Sequence, residues 1–320
     1  MENVVLITDH VHESIPLYLS GMGFIVEIMP DISNDALGKV AGKYTGLIIS
    51  TRTIINSTLL DKADKLLFIG RVGSGMEHVD RKACEEHGVM CFSSPEGNAN
   101  AVGEHCLGLL LAVLNNIVRS DREIREGKWE REENRGEELD GKVVGIIGFG
   151  HTGPAFAKKL KGFETEILVY DKYKEIISNE YWKTVTLENI QQQADIISFH
   201  VPYTSETHHM FCTAFLEKCS KPVIILNTSR GAIMHTPDLL TGLRNGRIQG
   251  LGLDVFEDEP IFSEKVQPPS IYRSLLEQQH VVVSPHIAGW THQSKSKLSE
   301  ILMEKIGAWW SEKKEMLDKK

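Results

Sequence analysis

Cysteine is scarce in this 320-residue chain: there are five, Cys84, Cys91, Cys106, Cys212 and Cys219, an odd number with no C-x-x-C spacing. That pattern supports neither a disulfide framework nor a thiolate metal site, and it points to a reducing cytoplasm. Long apolar runs are also missing. The longest, Leu107 to Leu114, falls far short of the roughly 20 residues a bilayer-spanning helix needs and reads as a core helix. The N-terminus has no basic region and no small-residue cleavage pattern, so export is not expected. Positive charge is in deficit, with 35 Lys and Arg against 44 Asp and Glu and a net charge of −9. This excludes a non-specific nucleic-acid binder, which needs surplus cations to displace counterions, but leaves room for a local basic pocket that takes a small anion. There is no H-E-x-x-H, and His208 and His209 read as loop residues, so no metal is expected.

What is present is ordinary globular composition, 41% hydrophobic and 25% charged, in a chain too long for one comfortable core. Short Val/Ile/Leu runs recur at Val4 to Ile7, Gly46 to Ile49, Leu66 to Ile69, Val143 to Ile147, Ile167 to Tyr170, Asp195 to Phe199, Val223 to Leu226, Leu251 to Asp254 and Val281 to Val283. Runs unbroken by polar residues suit strands buried on both faces, and the helical stretches between them suit the crossovers that parallel strands require. The expected fold class is α/β, with two doubly wound parallel sheets. A helix from about Ala99 to about Val118 is expected between them. After Trp290, Leu298, Ile301, Leu302 and Ile306 fall at helical spacing before a Lys/Glu-rich tail that reads as solvated from Ser311.

The strand Val143 to Ile147 runs into Gly148-Phe-Gly150-His-Thr-Gly153 and then a helical stretch. Strand, glycine triplet and helix in that order form a dinucleotide-binding turn: Gly148 permits the tight turn, Gly150 the approach of a pyrophosphate, and Gly153 close packing of helix on strand. The N–H groups of His151 and Thr152 open the helix toward an anion. Pro154 sits in the first turn, where its missing donor costs little. Asp171, 23 positions past Gly148 at the end of the next strand, fits the acid that bonds ribose hydroxyls; its charge would repel a 2′-phosphate, so NAD is preferred over NADP.

A dehydrogenase also needs a group to take the hydroxyl proton, and histidine titrates in the right range. His286, in Ser-Pro-His-Ile-Ala-Gly289, follows the strand Val281 to Val283; Glu259, in Asp254-Val-Phe-Glu-Asp-Glu-Pro260, follows another strand end, and Arg230, in Asn227-Thr-Ser-Arg-Gly231, a third. Ligands of open α/β sheets bind outside such ends. Glu259 would hold and tune the His286 imidazole, and the Arg230 fork would orient a substrate carboxylate and polarise its C2 oxygen. Placement alone also allows a surface ion pair for Arg230, a loop acid for Glu259 and a turn residue for His286. His200, in His200-Val-Pro202, ends a strand and could line the cofactor pocket.

These segments, with Gly70-Arg-Val-Gly-Ser-Gly-Met-Glu-His-Val-Asp80, Pro95-Glu-Gly-Asn98, Ala101-Val-Gly-Glu104 and Gly127-Lys-Trp129, together resemble the D-isomer-specific 2-hydroxy acid dehydrogenases over essentially the whole chain. The resemblance gives Arg230, Glu259 and His286 the roles of substrate-binding arginine, histidine-orienting acid and general acid/base. It makes Ser74 and Gly75 a loop whose amides hold the substrate carboxylate. Val201, Thr228, Ser229 and Asp254 become cofactor-lining residues beside His200 and Pro202. It implies a substrate domain of residues 1–93 and 287–320, a Rossmann NAD domain of 94–286 inserted between them, and homodimerisation through the NAD domain.

Gly127-Lys-Trp-Glu-Arg131, Gly70-Arg71 and Ser50-Thr-Arg-Thr53 resemble segments of phosphoglycerate-oxidising members. The expected reaction is therefore NAD-linked oxidation of 3-phosphoglycerate to 3-phosphohydroxypyruvate, as in serine biosynthesis, with Arg52, and also Arg71 and Arg131, as candidate phosphate ligands; the alternative is that all three are solvated surface arginines. The chain ends soon after His286, so an appended serine-sensing domain is not expected. Four positions depart from the family pattern. Thr152 replaces an aliphatic residue, Tyr203 a leucine, Met234-His235 a Val-Asp, and Ser50 an arginine common in phosphoglycerate enzymes, which weakens the phosphate assignment. The competing readings are a hydroxypyruvate or glyoxylate reductase using the same trio in reverse, and an NAD-sensing corepressor-like interaction protein.

Overall fold

The structure is a computed structural model that describes residues 2–259 and 269–318. The chain divides into two compact units, Met1–Asn98 with Trp290–Lys320, and Ala99–Gly289. The breaks fall at 98/99 and 289/290, against 93/94 and 286/287 expected. The first unit holds β1 (Val4–Ile7), β2 (Ile25–Ile28), β3 (Gly46–Ile49), β4 (Phe68–Arg71) and β5 (Met90–Ser93). The second holds β6 (Val143–Ile147), β7 (Glu166–Tyr170), β8 (Lys183–Thr184), β9 (Ile196–Phe199), β10 (Val223–Asn227), β11 (Ile248–Leu253) and β12 (Val281–Val283). The sheet orders are β2-β1-β3-β4-β5 and β12-β11-β10-β9-β6-β7-β8, and every pairing is parallel.

Two-faced burial explains why the central strands are apolar at every position. In the second unit Ile147, Ile197, Phe199, Ile225 and Leu251 pack into one core cluster. Their chain neighbours Ile146, Ile196, Ile224 and Leu226 pack into another, as the two-residue side-chain period of a strand dictates. In the first unit Leu6, Leu47 and Ile49 face one cluster and Val5, Ile7, Ile48 and Phe68 the other. That second cluster is closed by Leu302, Met303, Ile306 and Trp310 of the helix His292–Asp318, which continues through the stretch expected to be a solvated tail. Full burial of each such aliphatic side chain stabilises the fold by about 1.5–3 kcal/mol.

The helix expected from Ala99 to Val118 is two helices, Glu96–Leu114 and Ile117–Arg125, bent by 62°. Asn116 at the bend has φ 51°, a left-handed conformation that asparagine tolerates better than most residues. Among the described residues no single helix is long and apolar enough to cross a membrane.

Candidate active site

The order of the seven-stranded sheet reverses between β6 and β9, since the chain leaves β6 toward β7 and β8 and returns to β9 on the other side. Loops beyond the carboxyl ends of strands at such a point form a ligand crevice. The glycine turn leaves β6 there. Gly148 has φ +93°, and a Cβ on it would lie 2.6 Å from the His200 carbonyl oxygen. A Cβ at Gly153 would lie 2.2 Å from the Gly148 oxygen, which is why the helix Thr152–Lys159 can start so close to the strand. A Cβ at Gly150 would meet nothing within 4 Å. The turn is thus tight underneath and open above Gly150, the form a dinucleotide diphosphate requires.

Asp171, just past β7, ties that turn down. Its carboxylate accepts the amides of Phe149 (2.8 Å), Tyr173 (3.0 Å) and Lys174 (3.0 Å). Burial alone would raise its carboxyl, but these amides and the Lys174 ammonium hold it below the ordinary aspartate value. Three acceptor sites of about four are filled, which leaves room for a ribose hydroxyl.

His200, after β9, is 8% exposed. Its Nδ1 lies 3.1 Å from Thr152 Oγ1 and its Nε2 2.9 Å from Ser198 Oγ, while Phe156 packs against the ring. Burial pushes the imidazole down to about 3, so it is neutral at working pH. Val201 is half-buried and Pro202 exposed. Thr228 is buried and Ser229 half-buried in the turn after β10. Buried Asn227 shapes this turn by donating to the Arg230 carbonyl (2.9 Å) and accepting the Ser229 amide and hydroxyl.

Arg230, Glu259 and His286 follow β10, β11 and β12, three adjacent parallel strands, so the second unit brings the whole trio to one edge. His286 Nδ1 lies 2.8 Å from Glu259 Oε2, with side chains 47% and 40% exposed. His286 has φ 56°, a conformation that costs a non-glycine residue about 1–3 kcal/mol and persists only when its surroundings enforce it. Asp254 does this. Fully buried, its carboxylate accepts the Ile287 amide (2.9 Å), the Ala288 amide (2.7 Å) and the Ser284 hydroxyl (2.6 Å), and its carbonyl accepts the His286 amide (2.7 Å). His105 Nε2 backs Ser284 Oγ at 2.7 Å. Expected only to line the cofactor, Asp254 thus also holds the histidine loop in place.

The loop carrying Glu259 is clasped as well. Glu257 accepts the Thr236 amide (3.0 Å) and hydroxyl (2.8 Å) and pairs with His209 Nε2. A Cβ at Gly231 would lie 1.7 Å from the Phe256 oxygen, so the Arg230 turn rests directly on this loop. Against burial, which raises it, the Thr236 and His209 bonds hold the Glu257 carboxyl low. Sequence reasoning missed Glu257, Ser284 and His105. Only the first two had a signal, as polar residues inside motifs that were already singled out. Pro260, the last residue of the Glu259 motif, lies outside the described residues.

In the first unit, Ser74 Oγ donates to Asn98 Oδ1 at 2.8 Å, and Gly75 follows it in a half-buried loop. Arg52 has a specific local partner. Its Nε donates to Asp9 Oδ1 at 3.0 Å and its Nη2 to the carbonyls of Thr8 and Pro30, with Asp9 only 5% exposed. The guanidinium is therefore matched by a buried carboxylate, so the pair presents no net positive charge. Arg131 is exposed.

The profile of the D-isomer specific 2-hydroxyacid dehydrogenase NAD binding domain matches residues 107–288. A D-3-phosphoglycerate dehydrogenase of Archaeoglobus fulgidus is 32% identical over 304 residues, 94% of this chain and 56% of the relative, so the chain spans about half the length of that protein. A hydroxypyruvate reductase of Thermotoga maritima is 33% identical over 277 residues, 86% of this chain and 88% of the relative. Among solved structures, the TT0316 protein of Thermus thermophilus superposes with a TM-score of 0.81 at 29% identity, covering 94% of both chains.

Proposed function

Because the chain belongs to the D-isomer specific 2-hydroxyacid dehydrogenase family, we propose that it interconverts a small D-2-hydroxy acid and its 2-oxo acid with NAD as hydride carrier. The observation that carries this reading is the 2.8 Å contact of His286 with Glu259 at adjacent strand ends. Bound NAD supplies the hydride acceptor, and NADH the donor. A carboxylate on Nδ1 fixes the tautomer that carries its proton there, leaving the Nε2 lone pair for the substrate. In oxidation Nε2 takes the C2 hydroxyl proton as hydride leaves C2; in reduction the imidazolium returns that proton to the C2 oxygen. Arg230 binds the substrate carboxylate and C2 oxygen through its donor fork.

For the substrate, the Arg52–Asp9 pair favours an unphosphorylated acid, hydroxypyruvate or glyoxylate, because a phosphate dianion needs cationic charge that is not already matched. The 33% identity to the hydroxypyruvate reductase across 86% of this chain supports the same reading. A second reading, oxidation of 3-phosphoglycerate, is supported by the 32% identity to the phosphoglycerate enzyme across 94% of this chain. The test is NADH oxidation with hydroxypyruvate, glyoxylate and phosphohydroxypyruvate, each for the parent and for Arg52→Ala. Preference for the unphosphorylated acids, unchanged in Arg52→Ala, is the expected result. A preference for phosphohydroxypyruvate that Arg52→Ala abolishes would establish the second reading. Turnover of none of them by a protein that binds NADH would favour a nucleotide-sensing interaction protein over an enzyme. A homodimer and a cytoplasmic location accord with this function.

A further inference from the structure

We propose that the Thr152 hydroxyl is a direct ligand of the cofactor diphosphate, held in place by a hydrogen-bonded chain through His200, Ser198 and Cys106. The proposal rests on the NAD-binding turn and not on the choice of substrate. Thr152 opens the helix Thr152–Lys159, and the preceding His151 gives no side-chain cap. Pro154, two residues further on, has no N–H, so this helix end offers an anion one amide fewer than a proline-free first turn would. A hydroxyl at position 152 is the one side-chain donor in Thr152–Gly153–Pro154 that can replace it.

The chain behind that hydroxyl is continuous. Thr152 Oγ1 lies 3.1 Å from His200 Nδ1, His200 Nε2 lies 2.9 Å from Ser198 Oγ, and Ser198 Oγ lies 3.3 Å from Cys106 Sγ. Cys106 and Ser198 are completely buried. Burial pushes the Cys106 thiol up to about 12, so it keeps its proton, and the neutral imidazole carries one proton on one of its two nitrogens. Two arrangements satisfy every link. In one, Thr152 donates to Nδ1, Nε2–H donates to Ser198, Ser198 donates to sulfur, and the threonine proton is used up. In the other, the thiol donates to Ser198, Ser198 donates to Nε2, and Nδ1–H donates to Thr152 Oγ1. The threonine proton is then left over for an outside acceptor. A diphosphate at the helix end accepts hydrogen bonds only, so it selects the second arrangement. Because no member of the chain is charged, its burial carries no ionic desolvation cost.

The test is NADH affinity by calorimetry for the parent, Thr152→Val and Thr152→Ser, together with the tautomer of His200 read from imidazole ¹⁵N shifts in the NADH complex. Valine keeps the shape and removes the hydroxyl, and serine restores the hydroxyl. The proposal expects Thr152→Val to bind NADH about tenfold more weakly, Thr152→Ser to bind within about twofold of the parent, and the proton to reside on Nδ1. It is overturned if Thr152→Val binds as tightly as the parent, if serine weakens binding as much as valine, or if the proton resides on Nε2. Should the valine variant not fold, the tautomer of the parent complex decides. None of these readouts requires turnover.

Discussion

The two ends of the crevice over the seven-stranded sheet are built in opposite ways. At the glycine turn, the backbone does the shaping and the buried imidazole behind it is neutral: Gly148 and Gly153 sit where a Cβ would strike a carbonyl oxygen, His200 is held uncharged, and the half-buried carboxylate of Asp171 is spent on the amides of the turn. At the ends of β10 to β12, ionisable side chains stand half-exposed, and a fully buried carboxylate, Asp254, fixes the backbone beneath them. The difference teaches which job each end does. A diphosphate brings its own charge and needs donors and close approach, whereas proton transfer needs groups that can change charge without leaving their positions.

The comparison breaks hardest at His286. His286→Gln should lower kcat by about 10³-fold while NADH affinity, measured by calorimetry, stays within about twofold of the parent. A parallel loss of NADH affinity would mean that the two ends are not separate. Next comes Asp254→Ala, which strands the Ile287 and Ala288 amides and the Ser284 hydroxyl. It should cost about 3 kcal/mol in urea unfolding, on the scale of buried groups left without partners, and it should abolish turnover by releasing the left-handed His286.

A smaller effect sharpens the neutral end. The folded His200 titrates near 3 against an ordinary 6.5, so between those values the unfolded chain binds a proton that the folded chain does not. Stability is therefore unaffected by this group above pH 6.5 and falls as pH drops below it, by about 1.4 kcal/mol per unit. From pH 6.5 to pH 5 the loss should be about 2 kcal/mol. The same pair of unfolding curves for His200→Asn should lack that component; an identical pH dependence in the variant would show that His200 is not held neutral. The smallest effect is that of Gly150→Ala, whose methyl meets no protein atom within 4 Å and so crowds only the diphosphate above the turn. It should weaken NADH binding about tenfold and leave kcat at saturating cofactor close to the parent value.

Legibility in the sequence followed the same physics. β1, β3, β4, β6, β7, β9, β10, β11 and β12 stand out as apolar runs. β2, β5 and β8 do not, and all three are edge strands, with exposed ends in Ile25–Ile28 and both residues of Lys183–Thr184 exposed. A strand with an open edge is less buried and need not carry an unbroken apolar run; β12, also an edge strand, keeps one because Val281 and Val282 pack against the cores on the two faces of the sheet. In the site, the glycine turn and the trio were readable because each lies in a short motif beside a strand end. What could not be read is pairing across long chain separations: His105 with Ser284, 179 positions away, Thr152 with His200, 48 away, and Arg52 with Asp9, 43 away. The last of these bears on the substrate, because an arginine that looks like a phosphate ligand in its own segment proves to have a buried counterion. The role of Asp254 was hidden for a related reason, since its acceptors face a loop more than thirty positions downstream.

The central claim is that Glu259 and His286 act as one unit, and a double-mutant cycle on kcat tests it most directly. Glu259→Gln alone should lower kcat on the order of 10²-fold, and it should cost almost nothing further in a His286→Gln background, because its effect passes through the imidazole. If instead the two losses multiply, Glu259 acts on the reaction independently of His286 and the account of the pair is wrong.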